Sequence, residues 1–356
     1  MTPVGPGLVA GTAVSGVVVL LLVAVAAAHV SRTHRQQRNA HRRATLTPLV
    51  LALLDEDDGA DSRAGLITAP AVLDDVVLGL LPQLRGSDRE VLQQVLTARG
   101  VVDRAAADLG ARAAWRRGRA ATLLGSTGSR AHTAELTALL ADRDPEVRCA
   151  AARALGKSGE PSAVTSLLEA LSATRPLPAG VSGMAVLDLG TSALPALRTA
   201  LDSGAPAAQS LAAELLGLHG DLSASAALEL LVRDRDRPVP VRRAAAGALG
   251  RIGSPSATDV LVRALGSPEL TATAAQALGR IGDPFALPAL VTGLAATEPE
   301  TRAACANALA ALGPDGRDAL MSAAAGRHAA GSAPQAARAA LDALAATPRR
   351  QLAGHR

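Results

Sequence analysis

The sequence predicts an all-α protein: an α-solenoid of about seven or eight short helix pairs, preceded by one transmembrane helix. Three observations carry this. A phrase recurs, most plainly at residues 241–253, VRRAAAGALGRIG, and 270–282, LTATAAQALGRIG. In the first copy Val241, Ala245, Ala248, Leu249 and Ile252 fall on one face of an α-helix, and in the second Leu270, Ala274, Ala277, Leu278 and Ile281 do the same. Second, the glycine that closes the phrase returns as Gly128, Gly159, Gly190, Gly220, Gly253, Gly282 and Gly313, at intervals of 31, 31, 30, 33, 29 and 31 residues. Third, residues 7–28 are 22 positions without a charge, followed at once by arginines.

Taken in order, residues 1–6 form a short extracytoplasmic N-terminus. As a helix, residues 7–28 would span roughly 33 Å, enough for the hydrocarbon core. A cleaved signal peptide is the competing reading, with Ala26–Ala28 as its small-residue site. Against it, MTPVGP has no Lys or Arg, and Arg32, Arg35, Arg38, Arg42 and Arg43 follow the apolar run. By the positive-inside rule these arginines stay in the cytoplasm, giving a single-pass protein of the cell membrane with its N-terminus outside and its repeats inside. The basic juxtamembrane stretch, residues 29–45, is topogenic charge alone or also an anionic-lipid contact.

Residues 46–114 read as a helical connector and cap. Thr47 and Pro48 open a first helix through residue 54, and DEDDGAD at 55–61 ends it. That acidic run lacks calcium-loop spacing, because Gly59 falls at the fifth position rather than the sixth, and reads as a solvated linker. Residues 70–85 and 87–99 read as helices, the second opened by an S-x-x-E capping box of Ser87 and Glu90. Trp115 is expected to wedge between the cap and the first full repeat.

Residues 115–346 are the solenoid. A period near 30 without strand patterning leaves room for two helices per unit. The second helix is visible as Ala257, Val260, Leu261, Ala264 and Leu265, then as Ala286, Ala289, Leu290, Gly293 and Leu294. Prolines at 145, 268, 284 and 299 stand in first turns, where the missing N–H costs nothing and the preceding side chain can cap. Residues 177–190 depart from the pattern with Pro178, Gly180 and Gly183, so a frayed or bent helix is expected. The last unit loosens at 326–334, resumes at 335–344, and gives way to a disordered basic tail, residues 347–356.

The copies DPEVRCAAARALGKSG, residues 144–159, and DPFALPALVTGL, residues 283–294, resemble bacterial HEAT-like repeats, the short kind found in phycobilisome-lyase subunits. The resemblance implies a right-handed solenoid and says little about activity. Residues 80–125 are similar to the region joining anchor to repeats in membrane-tethered HEAT proteins of actinobacteria.

Composition narrows the function classes. Aromatics are Trp115 and Phe285 alone, and Lys157 is the single lysine beside 35 arginines. The formal net charge of +4 belongs to the ends: without the five juxtamembrane arginines and Arg349, Arg350 and Arg356, 28 basic residues face 32 acidic ones. A net acidic body without stacking platforms argues against nucleic-acid binding. Cys149 and Cys305 read as buried free thiols in a reducing compartment. Gly156-Lys157-Ser158 mimics the end of a Walker A motif, but Ala151 stands where a glycine is required and a helix precedes it. No G-x-S-x-G occurs, and of the histidines outside the juxtamembrane region, His132, His219, His328 and His355, none is paired at metal-ligand spacing with another His, Cys or Glu. The HEAT-repeat hydroxylase that modifies lysine uses His-Glu dipeptides as iron ligands, and this chain has no His-Glu. No catalytic residue, cofactor or metal is therefore expected. An enzyme subunit of the bilin-lyase-like class remains the alternative.

Two rows of polar positions recur at the repeat spacing. Arg148, Gln209, Arg242, Thr271 and Arg302 form the first, with arginine following an acid in Asp144/Arg148, Asp236/Arg242 and Glu298/Arg302. It resembles the acid–arginine ladder that ties HEAT units together, so Arg148, Arg242 and Arg302 are read as structural. Arg153, Glu214, Gly247, Gln276 and Asn307 form the second. Its residue type changes from unit to unit while the apolar neighbours stay fixed. This row is read as partner-binding, with an indifferent solvated face as the alternative. The expectation is a membrane-tethered cytoplasmic scaffold that docks a protein partner and no nucleic acid.

Overall fold

In the computed structural model the described residues are 48, 50, 72–84, 86–326 and 333–353. The expected membrane span, the basic juxtamembrane stretch, the acidic run and most of the helix expected at 47–54 lie outside them. Among the described residues there is no strand, and no single helix is long and apolar enough to cross a membrane. They fall into two compact units, divided after Ala105.

In the first unit α1 (Val72–Leu80) and α2 (Ser87–Ala98) enclose a core of Leu73, Val77, Leu81, Leu92 and Leu96. Asp74 pairs with Arg99 across it at 2.5 Å. The expected capping box does not form. Gly86 takes the N-cap with φ 62°, and the Ser87 hydroxyl donates to Asp88 instead. The helix α3 (Val101–Asp108) carries the division between the units.

The second unit is a run of helix pairs: α4 (Ala114–Thr127) with α5 (Thr133–Ala138), α6 (Pro145–Ser158) with α7 (Ala163–Glu169), and α8 (Ala179–Asp188) with α9 (Leu194–Ser203). There follow α10 (Pro206–His219) with α11 (Ser225–Arg233), α12 (Val239–Ile252) with α13 (Thr258–Ala264), α14 (Thr271–Ile281) with α15 (Leu287–Gly293), and α16 (Pro299–Ala311) with α17 (Pro314–Ala324). A last helix, α18 (Ala333–Ala353), packs on α16 and α17 and continues into the segment expected to be a disordered tail. Successive first helices pack against one another, as do successive second helices over a smaller area. Neither helix of a pair could bury its apolar stripe alone, which is why the units stack.

The recurring glycine caps the first helix in the left-handed region at Gly128, Gly159, Gly220, Gly253 and Gly282, with φ between 64° and 75°, whereas Leu189 caps α8 and Leu312 caps α16, each followed by a glycine of positive φ. A side chain there would cost backbone strain, and the turn it permits sends the chain back as the second helix. The apolar face predicted for α12 is buried at Val241, Ala245, Ala248 and Leu249. Proline and acid divide their work unevenly. Asp144 caps α6 through the Glu146 N–H and Asp283 caps the turn at Phe285, whereas Glu298 gives α16 no side-chain cap and α14 begins only at Thr271, beyond Pro268.

A glycine three residues before the closing one sets how near the first helices come. A Cβ on Gly125 would lie 2.5 Å from the Cα of Ala154, and one on Gly250 would lie 2.5 Å from the Cα of Ala277. Gly156 meets Ala185, Gly217 meets Ala248, and Gly279 meets Ala308 in the same way. The seam is broken between α8 and α10, where Leu187 and Leu215 stand in the two small positions and the helices meet over a much shorter stretch. The expectation of a frayed or bent helix at 177–190 is corrected here. Gly180 and Gly183 are accommodated in one continuous helix of 10 residues, α8, with Pro178 as its N-cap.

Candidate functional site

The two polar rows have different surroundings. The first turns inward. Arg148 Nη1 donates to the carbonyl of Asp142 at 2.9 Å, and Arg302 Nη1 to that of Ala296 at 2.9 Å. The Thr271 hydroxyl donates to the carbonyl of Leu265 at 3.0 Å. Each thus binds the carbonyl six residues before it, holding the turn that leads into its own helix. Gln209 is fully buried and donates to Leu201 O at 2.8 Å. Arg242, 6% exposed, donates to Val232 O and pairs with Glu269 of the following turn at 3.1 Å.

Arg117, one repeat ahead of Arg148, belongs to this row and was not singled out from the sequence. It donates to Ala111 O and grips Asp142 with two bonds of 2.7 and 2.8 Å. The Arg117 guanidinium holds the Asp142 carboxyl below its ordinary pKa, against the opposing effect of burial and with help from the Asp144 N–H. The acids that meet Arg117 and Arg242 therefore stand in the next unit's turn. Of the acids noted in the sequence, Asp144 caps its own helix and the Asp236 N–H bonds to Asp234, while the Glu298 carboxyl is held below its ordinary pKa first by the Thr297 hydroxyl and in part by Arg302. A second tie between units was also missed: Arg198 grips Asp221, at 2.6 and 3.0 Å, just after a closing glycine.

The second row turns outward. Arg153, Glu214, Gln276 and Asn307 are exposed and Gly247 is half-buried. At the same register Thr122 and Met184, absent from the sequence reading, are exposed as well, Met184 at 60%. Four members of the row lie along neighbouring grooves. Between α10, α12 and α14 a groove of about 460 Å³ is lined by Glu214, Gly247 and Gln276 with Arg243, Arg251 and Arg280. Gln276 and Arg280 also wall the next one, about 410 Å³ between α14 and α16, with Thr273 and Asn307. Asn307 continues into a third, toward Gln335 and Ala339 of α18. Arg153 lies outside all three. The floor at α12 exists because Gly247 has no side chain: a Cβ there would meet only Thr273 and Arg251, at 3.7 and 3.8 Å.

Charge in this groove is uneven. Burial, and then the like charge of Arg280, lower the pKa of Arg251, while Glu214 acts in the opposite sense. Among the described residues no three His, Cys, Asp or Glu side chains are grouped to hold a metal ion. Gly156 faces the Ala185 backbone and Ser158 bonds to Leu155 O, so residues 156–158 are helix and not a phosphate loop. Trp115 is 69% exposed at the start of α4, which corrects its expected role as a wedge. Cys305 is buried as expected, and Cys149 is only half-buried.

No curated protein matches the chain. Human deoxyhypusine hydroxylase in complex with glycerol is similar at 21% identity, over 76% of this chain and 95% of that one, with a TM-score of 0.30. The karyopherin Kap121p bound to the extreme C-terminus of the protein phosphatase Cdc14p is similar at 14% identity, over 80% of this chain and 38% of that one, with a TM-score of 0.49. An engineered protein matches at 20% identity over 83% of this chain and 98% of its own, with a TM-score of 0.38. The family model of HEAT repeats matches residues 109–178, 194–269 and 266–345, most of the chain and nearly all of its helix pairs. The chain belongs to the HEAT-repeat proteins.

Proposed function

We propose that this chain is a non-catalytic docking scaffold: a right-handed HEAT solenoid of the bacterial, N-terminally anchored kind, tethered by residues 7–28 and holding a partner protein on its cytoplasmic face. The observation that carries the reading is the contrast between the rows. One polar row is consumed in tying turns together, whereas four of the five members of the other line neighbouring grooves at positions that the repeat leaves free to vary. A variable surface on a rigid frame is what selective protein binding requires. The polar groove side chains are guanidinium, carboxamide, hydroxyl and one carboxylate, set among Leu218, Pro240 and alanines, a recognition set without a paired nucleophile and base.

A photocrosslinking residue placed at Gln276 in the intact cell membrane tests this. Discrete protein adducts are expected from Gln276 and not from Thr292, which is exposed on a second helix. Identical adduct patterns at both positions, or none at Gln276, Glu214 and Asn307, would overturn the docking reading. A reporter fused after residue 356 should report cytoplasm, and an extracytoplasmic signal would overturn the topology.

A further inference from the structure

We infer that the groove over α10, α12 and α14 takes an extended acidic segment of the partner protein, an inference that rests on the docking reading above. Arg243, Arg251 and Arg280 converge on one groove. Among the described residues neither Arg251 nor Arg280 has an ion pair, and Arg243 spends one donor on the Glu269 carbonyl. Burial and then the like charge of Arg280 lower the pKa of Arg251, so the two guanidiniums repel, and the fold retains them beside a floor that Gly247 leaves open. A carboxylate seated between them would accept from both in charge-assisted bonds and remove the repulsion.

The rest of the path suits a peptide main chain. Gln276 stands on the wall shared by two grooves and Asn307 on the next helix, so two carboxamides follow the arginines. Each carboxamide both donates and accepts, matching the alternating N–H and C=O of an extended chain. Neighbouring helices lie about 8–10 Å apart, so crossing from α12 to α16 takes about six extended residues at roughly 3.3 Å each. A nucleic-acid strand fits this path less well. Its backbone has no N–H for the carboxamides to accept from, and the lining contains no aromatic side chain for bases to stack on.

The test uses the full chain in detergent and fluorescence anisotropy of a labelled peptide of alternating glutamate and serine, about eight residues long. The expected result is binding that weakens with salt and falls at least about tenfold in Arg251→Glu/Arg280→Glu. Gly247→Gln should cause a similar loss by filling the floor, with melting unchanged or raised. Equal binding of a lysine–serine peptide or of an oligothymidylate of the same length would overturn the inference, as would acidic-peptide binding that ignores both variants. If adducts at Gln276 persist in cells carrying the charge-reversed variant, docking stands and the acidic specificity fails. If wild type gives no such adducts, the docking reading itself fails.

Discussion

Consider two alanines placed three residues apart on α12. Gly247→Ala and Gly250→Ala make the same chemical change in the same helix, and each gains about 0.8–1 kcal/mol of helix propensity. At position 247 the new methyl meets Thr273 Cγ2 at 3.7 Å and Arg251 at 3.8 Å, ordinary contact distances. At position 250 it would lie 2.5 Å from Ala277 Cα and 2.6 Å from Ala277 Cβ. Carbon atoms rest about 3.5–4.0 Å apart, so α12 and α14 would have to separate by about 1 Å, and overpacking of this kind costs about 1–3 kcal/mol or more. Gly247→Ala should therefore stabilise by up to about 1 kcal/mol, and Gly250→Ala, its overpacking cost set against the same gain, should destabilise by up to about 2 kcal/mol or more net. For a domain of this size each kcal/mol moves the melting temperature by about 2–4 °C, which circular dichroism on the full chain resolves. If both variants shift in the same direction by the same amount, the close approach of α12 and α14 at Gly250 is refuted.

Leu249→Ala should cost roughly 2–5 kcal/mol, because the side chain is fully buried and its loss leaves a cavity, whereas Leu341→Ala on half-buried α18 should cost less in a denaturant titration. Asp142→Asn should lower the melting temperature at pH 7. Because the folded carboxyl titrates below its unfolded value, its contribution is present above about pH 4 and lost as pH falls further, so the two melting curves should converge in acid. Burial pushes the Cys305 thiol up to about 11, so Ellman's reagent at pH 8 should label half-buried Cys149 first and reach Cys305 only on unfolding.

The repeat was legible because its closing glycine answers to a purely local demand, a left-handed turn, that one residue type meets best. The glycine of the Ala-Leu-Gly step was just as visible, but its purpose lies in what it faces, an alanine some 27 to 31 residues further on. Arg117 escaped because its neighbours do not spell the repeat phrase. The available signal was its 31-residue distance from Arg148, equal to that from Gly128 to Gly159. Pairing Arg242 with an acid a few residues before it failed for a geometric reason. At Arg117 and Arg242 the charge that matters sits 25 and 27 residues onward, in the adjoining turn. The grooves were half legible: the row gave four of their residues, but Arg243, Arg251 and Arg280 come from other rows and meet them only when helices stack. Trp115 was misplaced because a large aromatic was assumed to need burial, whereas at the start of α4 it stands in solvent.

The interruption of the glycine seam has a mechanical consequence. Helix pairs stacked in a row behave as springs in series, in which the softest junction takes up most of any imposed strain. Where Leu187 and Leu215 replace the small pair, α8 and α10 share a shorter interface than the first helices around them. A pull or twist on the array is therefore absorbed there first, leaving the stretch from α10 to α16, with its grooves, to turn as one stiff block.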